Sequence, residues 1–196
     1  MMDYNESELF TLLGLELRAH YRYTSNISKQ VARCSENMLR KGKVESKSLW
    51  FGQWYRRPIT QGLCGPLVAR WINPHFGWGV FAQKNIAKGD FLTVYLGEIR
   101  PIRKKIVNRY CFAFPFKAPW ASPLGNWTID ALSCGNISRF INHSDSPNCS
   151  CQLVYLSPWP YIVIKASRNI QAGEQIAYDY GPQYWRHLEK TPLPHS

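Results

Sequence analysis

Two short runs constrain this chain more than anything else in it. The first is Gly135-Asn136-Ile137-Ser138-Arg139-Phe140-Ile141-Asn142-His143-Ser144, followed by Pro147-Asn148-Cys149. The second is Ala172-Gly173-Glu174-Gln175-Ile176-Ala177-Tyr178-Asp179-Tyr180-Gly181. The gap between them reads as strand, turn and strand. The first run sets Asn, Arg, His and Ser around two large apolar residues. Such a polar knot is costly to bury unless every group is paired, and proteins accept that cost at ligand sites. The second run puts two tyrosines and an aspartate where a buried strand should end. Tyrosines alternating on a strand share a face, and phenols on an inner face need partners for their hydroxyls. They are either hydrogen-bonded core tyrosines or the wall of a narrow aromatic channel.

The rest of the chain is compatible with an ordered, β-rich protein. It has 196 residues, 45% hydrophobic and 14% aromatic, enough for one domain with an appendage or for two small domains, and too apolar for disorder. From Leu67 onward short β-branched and aromatic segments alternate with turn signals: Val68 to Ile72, Val80 to Phe81, Phe91 to Tyr95, Tyr110 to Phe116, Trp127 to Ile129 and Tyr161 to Ala166. Asn73-Pro74, Lys88-Gly89-Asp90, Ala118-Pro119, Ser157-Pro158 and Ala172-Gly173 mark the turns. Pro101 to Asn108 is the candidate for a short helix inside this region. Residues 1–45 carry a helical period through Leu9, Phe10, Leu12, Leu13, Leu17, Val31, Met38 and Leu39, and Asn5 or Ser7 caps the first helix. The aromatic and basic run Trp50 to Pro58 is either a strip that packs this segment onto the main domain or a partner-binding surface. The division expected is 1–66 as an N-terminal helical extension, 67–181 as the main domain, and 182–196 as a closing segment and frayed tail.

Net charge is +11, from 24 Lys+Arg against 13 Asp+Glu. Much of it lies in Lys29 to Arg70 and in Arg100 to Lys105. Such a face is either simply solvated or attracted to polyanions, with DNA contact through the basic N-terminal half as the sharper reading. The six cysteines are scattered, with no CxxC pair. Asp3, Glu6 and Glu8 sit where a secretory leader is positive, and no apolar run reaches the roughly 20 residues of a membrane span. An intracellular protein with free thiols and no membrane partner is expected.

Gly77-Trp78-Gly79 lets a backbone pass close to a ligand. His143, among Asn142, Ser144 and Asn148, is either a structural hydrogen-bonder or part of a ligand site. Zinc held by His143 with Cys149, Cys151 or Cys134 is the rival reading, but that spacing matches no common structural finger.

Taken in order, Gly77-Trp78-Gly79, Tyr95-Leu96-Gly97-Glu98, Tyr110-Cys111-Phe112, Ile129-Asp130-Ala131, Asn136 to Ser144 and Gly173-Glu174 to Tyr180 resemble the SET domain of protein lysine methyltransferases, over about Trp71 to Trp185. The resemblance implies a mainly β fold of several small curved sheets with a C-terminal pseudoknot, in addition to the N-terminal helical segment. It implies methyl transfer from S-adenosyl-L-methionine to a protein lysine, without a metal. Gly77, Trp78, Gly79, Tyr110, Arg139, Phe140, Asn142 and His143 would bind that cofactor, with Trp185 over its adenine. Tyr95, Tyr178 and Tyr180 would line the lysine channel, with Tyr180 as the catalytic tyrosine. The expected substrate is a histone or another basic chromatin protein. A non-histone protein, or a catalytically silent module on chromatin or nucleic acid, are the alternatives. The expected place is the nucleus or chromatin in a eukaryotic or host cell, and the cytoplasm otherwise. Family members with Tyr at the position of Tyr178 tend to stop at one or two methyl groups, so mono- or dimethylation is expected.

The chain also departs from the family. Many histone-directed members have Cys where Asp145 stands and three more cysteines after the last tyrosine. Here closure of the channel falls to Gln183-Tyr184-Trp185-Arg186 without zinc. Residues 1–66 resemble nothing with a known role.

Overall fold

A computed structural model of the chain describes residues 2–101, 108–117, 126–182 and 184–187. Strand β1 (Asp3–Tyr4) leads into helix α1 (Glu6–Leu12). Asn5 starts α1 with a reciprocal cap. Its side-chain oxygen accepts the Glu8 N–H at 3.0 Å, and the Glu8 carboxylate accepts the Asn5 N–H at 2.9 Å. Leu9 and Phe10 are buried, but Leu12 and Leu13 are exposed, so the apolar face is narrower than the sequence period implies. Leu17, expected on the same helical stripe, lies instead on β2 (Glu16–Leu17). The N-terminal segment is thus not continuously helical: two two-residue strands interrupt it.

Helix α2 (Ser25–Arg40) is capped by Thr24 and buries Ile27, Val31 and Cys34. Helices α3 (Ser46–Trp54) and α4 (Arg56–Thr60) then cover the run read as an aromatic strip. Buried Gly52 and Tyr55 and half-buried Phe51 anchor it. Gly52 is required by distance: a Cβ there would lie 1.9 Å from the backbone carbonyl oxygen of Tyr155. Gly52→Ala must push α3 off the strand below it. Expected is a loss of about 3 kcal/mol, the upper end of over-packing costs, read as a lower denaturation midpoint with unchanged slope.

The remaining strands are β3 (Leu67–Asn73), β4 (Gly77–Ala82), β5 (Phe91–Val94), β6 (Glu98–Pro101), β7 (Cys111–Lys117), β8 (Asn126–Asp130), β9 (Cys134–Gly135), β10 (Asn142–His143), β11 (Cys149–Leu156), β12 (Trp159–Ala166) and β13 (Gln175–Tyr178). They form four small sheets: β1-β3-β4-β13-β10, β11-β12-β5, β2-β9 and β6-β8-β7. Pro101 of the expected short helix is in β6, where it pairs with Trp127; positions 102–107 lie outside the described residues, as does the Ala118-Pro119 turn. A 3-10 turn, Ile137–Phe140, precedes β10. Ile99, Ile129, Ile137, Ile164 and Ile176 are fully buried in one apolar core. No described helix is long and apolar enough to cross a membrane.

Strand β13 joins the two informative runs. It pairs antiparallel with β4, Gln175 opposite Phe81, and parallel with β10, Asn142 opposite Ala177 and His143 opposite Tyr178. Parallel neighbours cannot be joined by a tight turn; here β11 and β12 make the connection. Asn148 fastens the crossing. Its side-chain oxygen accepts the Ala177 N–H at 3.0 Å and its amide nitrogen donates to the Gln175 carbonyl at 2.7 Å.

Candidate active site

The two runs meet at Tyr180. Its hydroxyl donates to the Ile141 carbonyl at 2.7 Å, and its N–H donates to His143 Nδ1 at 3.2 Å. Because Nδ1 accepts that bond, the neutral ring carries its proton on Nε2, which faces Asp145 Oδ1 at 3.3 Å. Both nitrogens of the His143 ring are therefore paired, and its first task is to hold the second run in place. Asn142 Nδ2 donates to the Trp78 carbonyl at 3.2 Å, tying the same turn to β4.

Rings surround Tyr180. Its centroid lies 4.9 Å from Tyr178, 4.5 Å from Tyr184 and 5.9 Å from Trp185, the last nearly parallel. Trp185 also meets His143 edge-on at 4.8 Å. Phe112 bridges to Tyr95 at 5.0 Å and to Tyr178 at 6.5 Å. The Tyr95 hydroxyl donates to the Tyr110 carbonyl at 2.7 Å. Burial pushes the phenols of Tyr95, Tyr178 and Tyr180 far above their ordinary range, and neighbouring phenols add to the shift. All three stay protonated at neutral pH.

On the other side of Tyr110 sits Arg139. Its guanidinium stacks 4.1 Å from the Tyr110 ring centroid and 4.9 Å from that of Phe140. It is 9% exposed, and its Nε and Nη1 are buried without a hydrogen-bond partner among the described residues. Burial draws its pKa below the ordinary value, opposed by Tyr110. The Trp185 indole N–H is likewise buried and unpartnered among the described residues. Buried donors left open in this way call for a partner that the described residues do not supply, such as a ligand or an ordered water. Nearby, Gly77 has φ of 69°, a conformation costly for other residues, and a Cβ on Gly79 would lie 2.6 Å from Ile72 Cδ1 and 2.8 Å from Gln175 Nε2.

All twelve site residues read from the sequence thus fall into one connected region. Tyr95, Tyr178, Tyr180, His143 and Trp185 form the ring cluster. Tyr110, Arg139 and Phe140 adjoin it, and Gly77, Trp78 and Gly79 are linked through Asn142. The zinc alternative is not assembled: no three His, Cys, Asp or Glu side chains converge among the described residues, and the Cys149 thiol donates to the Ala177 carbonyl at 3.2 Å. Of the closing segment, Tyr184 and Trp185 cover Tyr180, while Gln183 lies outside the described residues.

Three supporting residues escaped the sequence reading. Tyr4 packs edge-on against Trp78 at 5.5 Å, and the Glu6 carboxylate accepts the Ile137 N–H at 2.6 Å. No local pattern announces either contact, since both join residues far apart in the chain. Phe112 had a signal: it sits in the Tyr110-Cys111-Phe112 run, two residues from Tyr110.

The family model described as "SET domain" matches residues 77–181, more than half of the chain. The chain belongs to the SET-domain family. Among curated SET proteins, it is 37% identical over 118 residues to a histone-lysine N-methyltransferase, H3 lysine-4 specific, of Chaetomium globosum, covering 58% of this chain and 11% of that protein. It is 37% identical over 124 residues to the enzyme of the same name from Schizosaccharomyces pombe, covering 58% and 13%. The chain therefore spans little more than a tenth of these relatives' length. Among solved structures, ATXR5 in complex with a methylated histone H3.1 superposes with a TM-score of 0.68 at 22% identity, covering 90% of this chain and 86% of that one. A polycomb repressive complex 2 structure bound to S-adenosylmethionine gives 0.52 at 25% identity, covering 63% and 16%. The likeness in fold to ATXR5 reaches beyond the SET segment into the N-terminal helices.

Proposed function

We propose that this SET protein is an S-adenosyl-L-methionine-dependent protein-lysine N-methyltransferase acting on a histone or another basic chromatin protein. The observation that carries the reading is the cluster of neutral, buried phenols around Tyr180 beside an open, buried guanidinium. The donor's features match what the site leaves unsatisfied. Arg139, with Nε and Nη1 open, suits its carboxylate; Trp185 suits its adenine; Gly77 and Gly79 give the backbone beside Trp78 room for its methionine portion. Tyr110, Phe140, Asn142 and His143 complete that half of the site.

The donor supplies an electrophilic methyl group on a sulfonium. The chain's own residues must deliver a neutral amine to it. Free lysine is protonated at neutral pH, with a pKa of about 10.4. Tyr95, Phe112 and Tyr178 replace water around the amine with rings, and burial disfavours the ammonium. The released proton passes to solvent. Tyr180 is unsuited to be a general base, because its hydroxyl is held neutral. Its O–H is committed to the Ile141 carbonyl, so the phenol oxygen turns its lone pairs to the transferring methyl, as an acceptor of weak C–H contacts. The larger effect is alignment of nitrogen, methyl and sulfur.

The substrate class rests on charge and kinship. Asp145 and Asp179, whose side chains are 62% and 61% exposed, flank His143 next to Tyr180. Two solvent-facing carboxylates there suit a basic peptide. The relatives named above are specific for histone H3, and a structural neighbour holds an H3 peptide. Residues 67–181 are assigned to the catalytic body, 1–66 to an extension that buttresses it, and 182–196 to closure of the channel. Chromatin is the corresponding place of action.

The deciding experiment is incubation with labelled S-adenosylmethionine and a panel of histones and cell lysate, with Tyr180→Phe as control. Label on a histone band that vanishes in the control supports the reading. Absence of label on every band, together with no calorimetric affinity for the donor or its demethylated product, overturns it.

The number of methyl groups is set by room beside Tyr178. A hydroxyl there can hold a water where a growing methylammonium would sit, which limits the product to one or two methyls. Tyr178→Phe is expected to shift the product toward trimethyllysine in mass spectra; an unaltered distribution removes this role.

A further inference from the structure

Between Ser25 and Thr60 the chain has eight Lys and Arg and only two Glu. Several arginines elsewhere are matched: Arg70 with Asp3, Arg100 with Asp130, Arg168 with Glu174, and Arg18 and Arg22 with Glu16. By contrast, Lys43, Lys47, Arg56 and Arg57 are exposed and have no carboxylate partner among the described residues. Among the described residues, the guanidinium groups of Arg56 and Arg57 hydrogen-bond only neutral Gln53 and Gln61.

Two indoles stand among these charges. Trp50 and Trp54 are 56% and 66% exposed, and their rings stack at 5.2 Å with an interplanar angle of 16°. They are not the packing face of α3, which is buried Ser48 and Gly52 with half-buried Leu49 and Phe51. Lys47, Trp50 and Trp54 follow at i, i+3 and i+7, so they share one outward stripe of the helix, and Arg56 and Arg57 open α4 just past the turn at Tyr55. A single exposed apolar side chain needs no explanation, but an ordered pair of stacked indoles among unpaired cations does.

We infer that this stripe is a platform for single-stranded nucleic acid. Unpaired bases extend the Trp50–Trp54 stack, while Lys47, Arg56 and Arg57 neutralise phosphates. Charge selects a polyanion, and the indoles select one with planar groups. An acidic peptide satisfies the cations and leaves the indoles unused. An anionic membrane takes a helix with a broad apolar face opposite its charges; on α3 the other large apolar side chains, Leu49 and Phe51, are half-buried, and Lys47 shares the indoles' own stripe. The inference does not rest on the methyl-transfer reading.

The test is fluorescence anisotropy of the full chain with a labelled oligothymidine of about 12 nucleotides, within the span a single-strand site covers. An abasic strand of equal length, a duplex, anionic vesicles and poly-glutamate are the comparisons. Expected is binding to the oligothymidine that weakens with added salt, together with at least about tenfold weaker binding by Trp50→Ala/Trp54→Ala, the size of a lost base–aromatic stack. The abasic strand should bind comparably less well, which tests stacking without altering the protein. Methylation of a short peptide by the double variant should be unchanged, which separates this outcome from failure of the enzymatic reading. Equal binding of abasic and normal strands, equal binding by the tryptophan variant, or vesicles or poly-glutamate bound as tightly as the oligonucleotide would each overturn the platform.

Discussion

Tyr180→Phe is expected to lower methyl transfer by about a hundredfold, or about 2.7 kcal/mol of transition-state free energy, while calorimetry shows nearly unchanged affinity for S-adenosylhomocysteine. The asymmetry follows from where the hydroxyl sits. The ring, which packs on Tyr178, Tyr184 and Trp185, is kept by phenylalanine. The N–H bond to His143 belongs to the backbone and is kept as well. Only the O–H bond to the Ile141 carbonyl is lost, at a stability cost of about 1 kcal/mol for an ordinary hydrogen bond. What goes with it is the fixed oxygen beside the transferring methyl, and misplacement of reacting groups by as little as about 1 Å costs on the order of a hundredfold. The pH dependence gives a second check. Were Tyr180 the base, the variant would lose the rise in rate with pH that deprotonation of the phenol gives. With the phenol held neutral by burial, the variant should show a lower rate with the same limbs. A variant as fast as the wild type would remove Tyr180 from the chemistry.

What could be read in advance followed from where the bonds are made. Asn136 to Ser144 and Gly173 to Tyr180 are conspicuous because each run supplies side chains that satisfy the other's backbone. The Tyr180 hydroxyl bonds the Ile141 carbonyl, His143 Nδ1 accepts the Tyr180 N–H, and Asn148, just past the first run, bonds Gln175 and Ala177. Such residues depart from any core or surface period, so composition alone exposes them. Strands β3, β11 and β12 are long enough for period-two patterning to register. β1 and β2, with two residues each, are not. Their pairing is decided by partners far along the chain, Ala69 and Arg70 for β1, Cys134 and Gly135 for β2. The same distance hid Tyr4 and Glu6. Leu12 and Leu13 misled because apolar residues at helical spacing need not all find a surface to cover. Trp50 and Trp54 belong to the same class, except that their stacking and their charged neighbours give them a use.

Asn148→Ala should be the most damaging single change outside the ring cluster, with an expected loss of about 3 kcal/mol or more, read from denaturation midpoints. Asn148 is 3% exposed. Its side chain accepts the Ala177 N–H and donates to the Gln175 carbonyl, both on β13, and donates to Glu174 Oε1 at 3.0 Å. Removing it strands a buried donor and a buried acceptor on the strand that carries Tyr178, and each such group costs about 1–3 kcal/mol. The nearby ion pair between Arg168 and Glu174 looks stronger on paper and should matter less. Its side chains are 52% and 29% exposed, and exposed pairs contribute about 0–1 kcal/mol. Glu174→Gln, which keeps an oxygen for Asn148, should therefore be mild at neutral pH. Its signature lies in acid. The bond from Arg168, and then that from Asn148, lowers the Glu174 pKa from 4.5 to about 2. A carboxylate depressed in the folded state adds stability above its unfolded pKa and loses it as pH falls through the folded one. Wild-type stability should thus decline between about pH 4.5 and 2 by an amount that Glu174→Gln does not show, whereas Asn148→Ala should be destabilised at every pH. If Asn148→Ala instead unfolds at the wild-type midpoint, β13 is held by something other than this clasp, and the crossing of the two runs loses its main fastening.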